Sequence, residues 1–425
     1  MQLTITPCTG LSGMVPIPAS KSHSLRAALF ATIADGTSTI TAPLDSPDAR
    51  ACLKACEQLG AKVEDKTTEW IITGTGGNLT TPNNIIDVGN SGITLRFITG
   101  LAACCNGEVV ITGDHSIQTN RPMDHMITMI NELGGVAVST TGTKYAPLSI
   151  KGPIKGGKTT FNGEDSQPVS GTLLASLLCE KPVEIFVENA GETPWMDLSL
   201  AWFDRFKLQY TNDNYNHYTL PGKQAIKAFN LRVPGDFSSA AFPIAAGLLV
   251  PDSTVTIEGL DMNDPQGDKK IIPILQEMGG ALTIGEELHV TTSTLQGQTI
   301  DVNELIDAVP ILAVIGTAAE GTTILKNAGI ARKKESDRLA VMTKELKKMG
   351  AQIEETADTL TIHKSTLTGA TVDSHNDHRV ALSLAVAGMI AEGTTTITNA
   401  EYISKTFGTF PSLMNAVGAH IEVQE

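Results

Sequence analysis

Ala19-Ser20-Lys21-Ser22-His23-Ser24-Leu25-Arg26 is a polar, cationic knot that runs straight into the apolar stretch Ala27 to Ala34. It reads as the start of a buried helix, where unpaired N–H groups and the positive end of the helix dipole favour anions. Lys21 lies fifteen residues before Gly36, and that interval recurs. Gly92 precedes Gly107 by fifteen and His378 precedes Gly393 by fifteen, while Asp307 lies fourteen before Gly321. The same offset from Lys181 and Ser253 gives Ser166 and Ser238. Each of the six points opens a mostly apolar segment, so six buried helix starts are expected to gather the polar groups.

The markers themselves head one strand seen six times: Gly36 to Ile40, Gly107 to Ile111, Lys181 to Ile185, Ser253 to Ile257, Gly321 to Leu325 and Gly393 to Ile397. Their spacings of 71, 74, 72, 68 and 72 residues make the chain six copies of one unit. A second marker follows each strand: Leu59-Gly60-Ala61, Leu133-Gly134-Gly135, Met278-Gly279-Gly280, Met349-Gly350-Ala351 and Val417-Gly418-Ala419, with a degenerate copy near residue 207. Each ends an amphipathic helix such as Ser46 to Leu59, where Ser46 suits the cap, Pro47 the first turn, and glycine the left-handed exit. One copy is thus a strand, a surface helix, two hairpin strands and a buried helix. Copies of this size pair strands with one another, so they are expected to assemble in threes as two similar α/β domains. The expected division gives residues 20–228 to one domain and residues 1–19 with 229–425 to the other, with the six helix starts facing a cleft between them.

Composition narrows the partners. The 425 residues, 41% hydrophobic and 18% charged, are those of an ordinary globular protein with a net charge of −15, which argues against general binding to nucleic acid or to acidic membranes. The longest uncharged apolar stretches fall short of the ~20 residues that span a bilayer, and the first residues resemble no secretory signal, so a cytoplasmic protein is expected. The six cysteines show no Cys-x-x-Cys pair and are expected to be reduced. His375-x-x-His378 has no third ligand at a recognisable spacing, so no metal is expected.

Against that acidic background the cations stand out. Lys21 and Arg26 flank Ser22, Arg96 follows Gly92, Arg121 precedes Pro122-Met123, and Lys334, Arg338, Arg379 and Lys405 occupy later copies. So many cations at equivalent or neighbouring positions suit a substrate bearing more than one anionic group, and arginine forks match carboxylate and phosphate oxygens. Gly89-Asn90-Ser91-Gly92 has neither a Walker lysine nor the dinucleotide fingerprint, so no nucleotide is indicated. Asp307 opens an apolar segment and Glu335 lies in a mixed-charge run; a carboxylate held among cations and poised by burial is a candidate for proton transfer.

Lys21-Ser22-His23-Ser24-Leu25-Arg26, Gly89 to Arg96, Gly113-Asp114 with Arg121-Pro122-Met123, Pro234-Gly235-Asp236, Lys334 to Arg338, Asp377-His378-Arg379 and Ser404-Lys405-Thr406, in this order, resemble the 5-enolpyruvylshikimate-3-phosphate synthases, enolpyruvyl transferases of the shikimate pathway. The resemblance covers essentially the whole chain. It implies two domains, each of three βαβαββ-type repeats with buried parallel helices, an inside-out α/β barrel that closes when shikimate 3-phosphate binds. It implies addition of the 5-hydroxyl of shikimate 3-phosphate to phosphoenolpyruvate and loss of phosphate, by a monomer with no metal or organic cofactor. Lys21, Ser22, Arg26, Ser166, Gln167 and Lys334 would hold shikimate 3-phosphate; Lys21, Gly92, Arg121, Gln167, Arg338, Arg379 and Lys405 would surround phosphoenolpyruvate. Asp307 would take the hydroxyl proton, and Glu335, with Lys21, would handle the proton at the methylene carbon.

Three places depart from the family pattern. Ile93 and Phe97 replace a usual Thr and a usual Pro or Leu, which is expected to weaken the inhibitor glyphosate more than phosphoenolpyruvate. Asp165 stands where a phosphate-binding Ser is common, and Trp195 where Tyr is usual. The related UDP-N-acetylglucosamine enolpyruvyl transferases share the sixfold plan, but they typically carry Lys-Asn in place of Lys21-Ser22 and a catalytic Cys on the loop that here bears Arg121. A catalytically silent anion-binding homologue is the alternative of another class; it would be expected to lose Asp307, Glu335 or Lys21 first.

Overall fold

The structure, a computed structural model, describes residues 1–425. The chain forms two compact units, one of residues 19–233 and one of residues 1–18 with 234–425. Each unit has its own apolar core, with no core residue shared between the two. Each also holds three four-stranded sheets.

The recurring strand lies inside a sheet in every copy: Thr37–Thr41, Glu108–Thr112, Val183–Glu188, Thr254–Glu258, Thr322–Lys326 and Thr395–Thr398. On one side it pairs antiparallel with a hairpin strand, as Thr37–Thr41 does with Glu69–Thr73. On the other it pairs parallel with a short strand that leads into a buried helix, as Glu108–Thr112 does with Ile86–Asp87. Four copies close this βαβ turn on themselves, and two exchange strands. Ser12–Pro16, which leads into the helix Lys21–Ile33, pairs with Thr254–Glu258, while Asn230–Arg232, which leads into Phe237–Leu249, pairs with Thr39–Thr41. The chain therefore changes unit twice, at Pro18/Ala19 and at Val233/Pro234. This corrects the expected division at 228/229 and 19/20: residues 230–232 stay with the middle unit because their backbone completes its sheet, a pairing too short to leave a pattern in sequence. The sixth copy borrows from the other end of the chain, since Gln2–Thr6 lies between Thr395–Thr398 and His420–Gln424.

The six buried helices run Lys21–Ile33, Gly92–Ala102, Ser166–Ser176, Phe237–Leu249, Val309–Ala318 and His378–Ile390. They are buried along nearly their whole length and mostly apolar beyond their first turns, which suits helices enclosed by sheets. Ser20, Ser91, Asp165, Asp236 and Asp377 cap five of them through side-chain oxygens, meeting N–H groups that would otherwise be buried unpaired. The helices Gly92–Ala102 and Ser166–Ser176 touch backbone to backbone: a Cβ on Gly100 would lie 2.6 Å from the Gly171 carbonyl oxygen, and one on Gly171 would lie 2.8 Å from that of Arg96. Two of the expected starts shift. The helix of the fourth copy begins at Phe237, one residue before Ser238, and Asp307 lies in a 3-10 segment, Asn303–Ala308, ahead of the helix that begins at Val309. Leu305 has non-helical angles there, so no continuous helix runs through the segment ahead of Asp307. The surface helices exit through glycines of positive φ as expected, and in the degenerate copy Lys207 takes the left-handed position at φ +54°.

Candidate active site

Each unit collects polar residues at its helix starts. In the unit of residues 19–233, the first turn of Lys21–Ile33 carries Lys21, whose Nζ lies 3.4 Å from Asp48 Oδ2. One turn on, the buried Arg26 guanidinium donates through Nη2 to Ser199 Oγ at 2.8 Å and through Nη1 to the Ser22 carbonyl at 3.3 Å. Its carbon sits 5.1 Å from the centre of the Phe97 ring, so the unusual Phe97 forms the apolar floor under this cation. Burial lowers the Arg26 pKa to about 9. Half-buried Trp195 accepts from Arg26 through its backbone oxygen at 3.4 Å.

Gly92 faces two arginines. A Cβ there would lie 3.1 Å from Arg96 Nη1 and 3.5 Å from Arg121 Cζ, so a larger residue would narrow the space beside Arg121. Ile93, next to it, is buried in the core. Arg96 is itself buried, donates to the Gly92 and Pro122 carbonyls, and lies 3.6 Å from Asp165 Oδ2. Burial lowers its pKa to about 10, with Asp165 pulling the other way. The other oxygen of Asp165 caps its own helix by accepting from the Gln167 N–H at 3.0 Å. Ser166 gives both its N–H and its hydroxyl to Glu192 Oε2, at 3.1 and 3.3 Å. The side-chain oxygen of Gln167 is buried with no hydrogen-bond partner within the protein.

In the unit of residues 1–18 and 234–425 the charges form one lattice around Arg338, which is fully buried. Its Nη1 donates to Asp307 Oδ1 at 2.7 Å, its Nη2 to Glu335 Oε2 at 2.8 Å, and its Nε to Asp377 Oδ2 at 2.9 Å. Arg379 Nη2 holds the other oxygen of Asp307 at 2.8 Å, and Lys405 Nζ lies 3.5 Å from Glu335 Oε1. Asp377 also caps Arg379 N–H and accepts from Ser336 Oγ. Three carboxylates, three of the expected cations and the nearby charge of Lys334 thus meet. Burial would raise the Asp307 carboxyl, but Arg379, Arg338 and Lys334 overturn it and hold the group well below the usual carboxylate range. Arg338 loses by burial and gains more from Asp377, Glu335 and Asp307, so its proton is held more tightly than in an ordinary arginine.

The expected site residues divide between the two units: Lys21, Ser22, Arg26, Gly92, Arg121, Ser166 and Gln167 belong to the first, and Asp307, Lys334, Glu335, Arg338, Arg379 and Lys405 to the second. Asp307 is no simple helix cap, since both its oxygens face guanidinium groups. Asp48, Glu192, Ser199 and the lattice role of Asp377 were not anticipated as site features. Asp377 alone had a signal, standing beside His378-Arg379 at a helix start. No three His, Cys, Asp or Glu side chains gather as a metal-holding group.

A sequence profile described as EPSP synthase (3-phosphoshikimate 1-carboxyvinyltransferase) matches residues 5–414. The chain belongs to the EPSP synthase family. A curated 3-phosphoshikimate 1-carboxyvinyltransferase of Acetivibrio thermocellus is 41% identical to it, with 97% of this chain and 98% of the relative covered. One of Chlamydia felis is 42% identical over 97% of this chain and 93% of that one. Among solved structures, EPSP synthase from Acinetobacter baumannii superposes with a TM-score of 0.83 at 31% identity, covering all of both chains. The two-domain α/β architecture of the EPSP synthase family is thus the architecture of this chain, and the expected family is the observed one.

Proposed function

We propose that this chain transfers the enolpyruvyl group of phosphoenolpyruvate to the 5-hydroxyl of shikimate 3-phosphate and releases phosphate. Family membership supports the reaction, and the lattice around Arg338 is the observation that carries the assignment of residues. The hydroxyl oxygen bonds to C2 of phosphoenolpyruvate while a proton goes to C3; the tetrahedral adduct then loses phosphate from C2 and a proton from C3, restoring the double bond. An anionic enol phosphate needs its charge neutralised and its partner held in line before a neutral alcohol adds. In this reading Arg121, Arg338, Arg379 and Lys405, with Lys21, Gly92 and Gln167, surround phosphoenolpyruvate. Lys21, Ser22, Arg26, Ser166, Gln167 and Lys334 hold shikimate 3-phosphate.

The charge state of Asp307 gives the sequence of events a physical logic. With both oxygens on arginines it is a weak base. An incoming anion draws Arg338 and Arg379 toward itself, relaxes their grip on Asp307 and raises its proton affinity as the hydroxyl arrives. Glu335, bonded to the same Arg338 and near Lys405, would serve the carbon proton, so one lattice separates two carboxylates into two roles. The reaction as written requires no metal or organic cofactor, and we read the protein as a cytoplasmic monomer. No helix is long and apolar enough to cross a membrane.

The rival sugar-nucleotide chemistry would need a reactive thiol on the Arg121 loop. That loop, residues 113–123, has no cysteine, and the cysteine nearest to it in sequence, Cys105, is buried with its thiol pushed up to about 12 by burial. Two variants separate catalysis from mere anion binding. Asp307→Ala and Glu335→Ala are expected to keep binding of shikimate 3-phosphate, measured by calorimetry, while losing about 10³-fold or more in kcat. Near-native turnover of either variant would remove that residue from the mechanism.

A further inference from the structure

Counted from the helix starts Gly92 and His378, Gly89 of the second copy and His375 of the sixth are equivalent. Their turns are alike. Gly89 N–H donates to Asp87 Oδ1 at 2.9 Å with φ +59°, and His375 N–H donates to Asp373 Oδ1 at 2.7 Å with φ +52°. Glycine takes the left-handed backbone freely. In the sixth copy a histidine takes it instead and Asn376 follows at φ +60°, an arrangement that disfavours the turn unless side chains hold it.

The imidazole has such a hold. His375 Nε2 lies 2.9 Å from Oε1 of Glu345, a fully buried side chain on the helix Arg338–Lys348. Glu345 Oε2 also accepts from the Asp373 N–H at 3.0 Å and from Lys348 Nζ at 2.6 Å, with Lys344 Nζ 3.7 Å from Oε1. Burial would raise this carboxyl, and the bonds from His375, Lys348 and Asp373 bring it below its ordinary value, so it remains a charged acceptor. The spacing matters most. Arg338 and Glu345 are two turns apart on one helix, hence on one face. Arg338 grips Asp377 and Glu345 grips Asp373 and His375, so one helix face clamps both ends of the turn that presents Arg379.

We propose that His375 is a positioning residue: its bond to Glu345 fixes the left-handed turn 373–377 and so sets the place of Arg379. The consequence for phosphoenolpyruvate rests on the reading of Arg379 as its ligand; the clamp itself does not.

Two variants test it, each read by amide hydrogen exchange over residues 373–379 and by steady-state kinetics. His375→Gly suits the backbone but removes the ring, so the fold and melting temperature should persist. Exchange in the turn should rise about tenfold and KM for phosphoenolpyruvate about tenfold, with kcat within about threefold, the scale expected for one lost bond to a charged group. His375→Gln restores a donor of similar reach and should recover most of the protection and of the KM. Native exchange in His375→Gly overturns the clamp; raised exchange with an unchanged KM in an active enzyme overturns the positioning of Arg379. A native protein with no turnover on shikimate 3-phosphate would count against the functional reading, and the exchange comparison would still decide the clamp.

Discussion

Asp165 shows how a single residue changes meaning between sequence and structure. An acidic group at a place where the family commonly binds phosphate suggests repulsion. In the structure one of its oxygens lies 3.6 Å from the buried Arg96 and the other caps the helix Ser166–Ser176. Its charge is therefore paired with Arg96, a buried cation. Replacing it with Ser keeps a capping oxygen but leaves Arg96 without its counter-charge. Asp165→Ser is expected to change KM for shikimate 3-phosphate by less than about threefold while lowering stability by about 1–3 kcal/mol, measured by denaturant unfolding. A large fall in KM would mean that Asp165 does face the phosphate.

At the scale of the element, the helix starts are where charges meet. Ser238 Oγ, in the first turn of Phe237–Leu249, donates to Asp268 Oδ2, and Asp268 Oδ1 is buried without a partner. Burial, aided by the charge of Asp307, raises the Asp268 carboxyl to about 7, against the pull of Arg379 and Ser238. A carboxyl whose pKa is higher folded than unfolded stabilises the fold fully below its unfolded value near 4, and that contribution is lost as pH rises through about 7. Asp268→Asn cannot ionise. Its melting temperature relative to the native protein is therefore expected to be higher at pH 8 than at pH 5 by several degrees; an equal difference at both pH values would contradict the account. These elements were largely readable beforehand, because most copies repeat a β-branched run, a glycine exit and a capped apolar helix. The 3-10 approach to Asp307 was not, since nothing in Asn303 to Ala308 distinguishes it from a first helical turn. Nor were Asp48, Glu192 and Ser199, whose partners Lys21, Ser166 and Arg26 lie 27, 26 and 173 residues away.

The whole molecule carries the trace of a chain that changes unit twice. The unit of residues 19–233 is continuous, with its own core and three complete sheets. Residues 234–425 lack the strands Gln2–Thr6 and Ser12–Pro16, which bring Leu3, Ile5 and Val15 into the core of that unit at 0% exposure. Three such aliphatics are worth roughly 1.5–3 kcal/mol each, comparable to the net stability of a domain. Residues 19–233 produced alone are therefore expected to unfold cooperatively by circular dichroism, whereas residues 234–425 alone are not. Two equally cooperative fragments would contradict this division of labour. The sixfold repeat made the number of copies legible, but the exchange of two short strands was hidden, because a three-residue pairing such as Asn230–Arg232 with Thr39–Thr41 leaves no periodicity.

That both clusters serve one reaction is tested most directly by phosphate release from phosphoenolpyruvate, with and without shikimate 3-phosphate, in the native protein and in Lys21→Met and Arg379→Met, one change in each unit. The expected result is release that requires shikimate 3-phosphate and falls at least about 100-fold in kcat/KM in both variants. Release without shikimate 3-phosphate, or either variant within about threefold of the native protein, would contradict it.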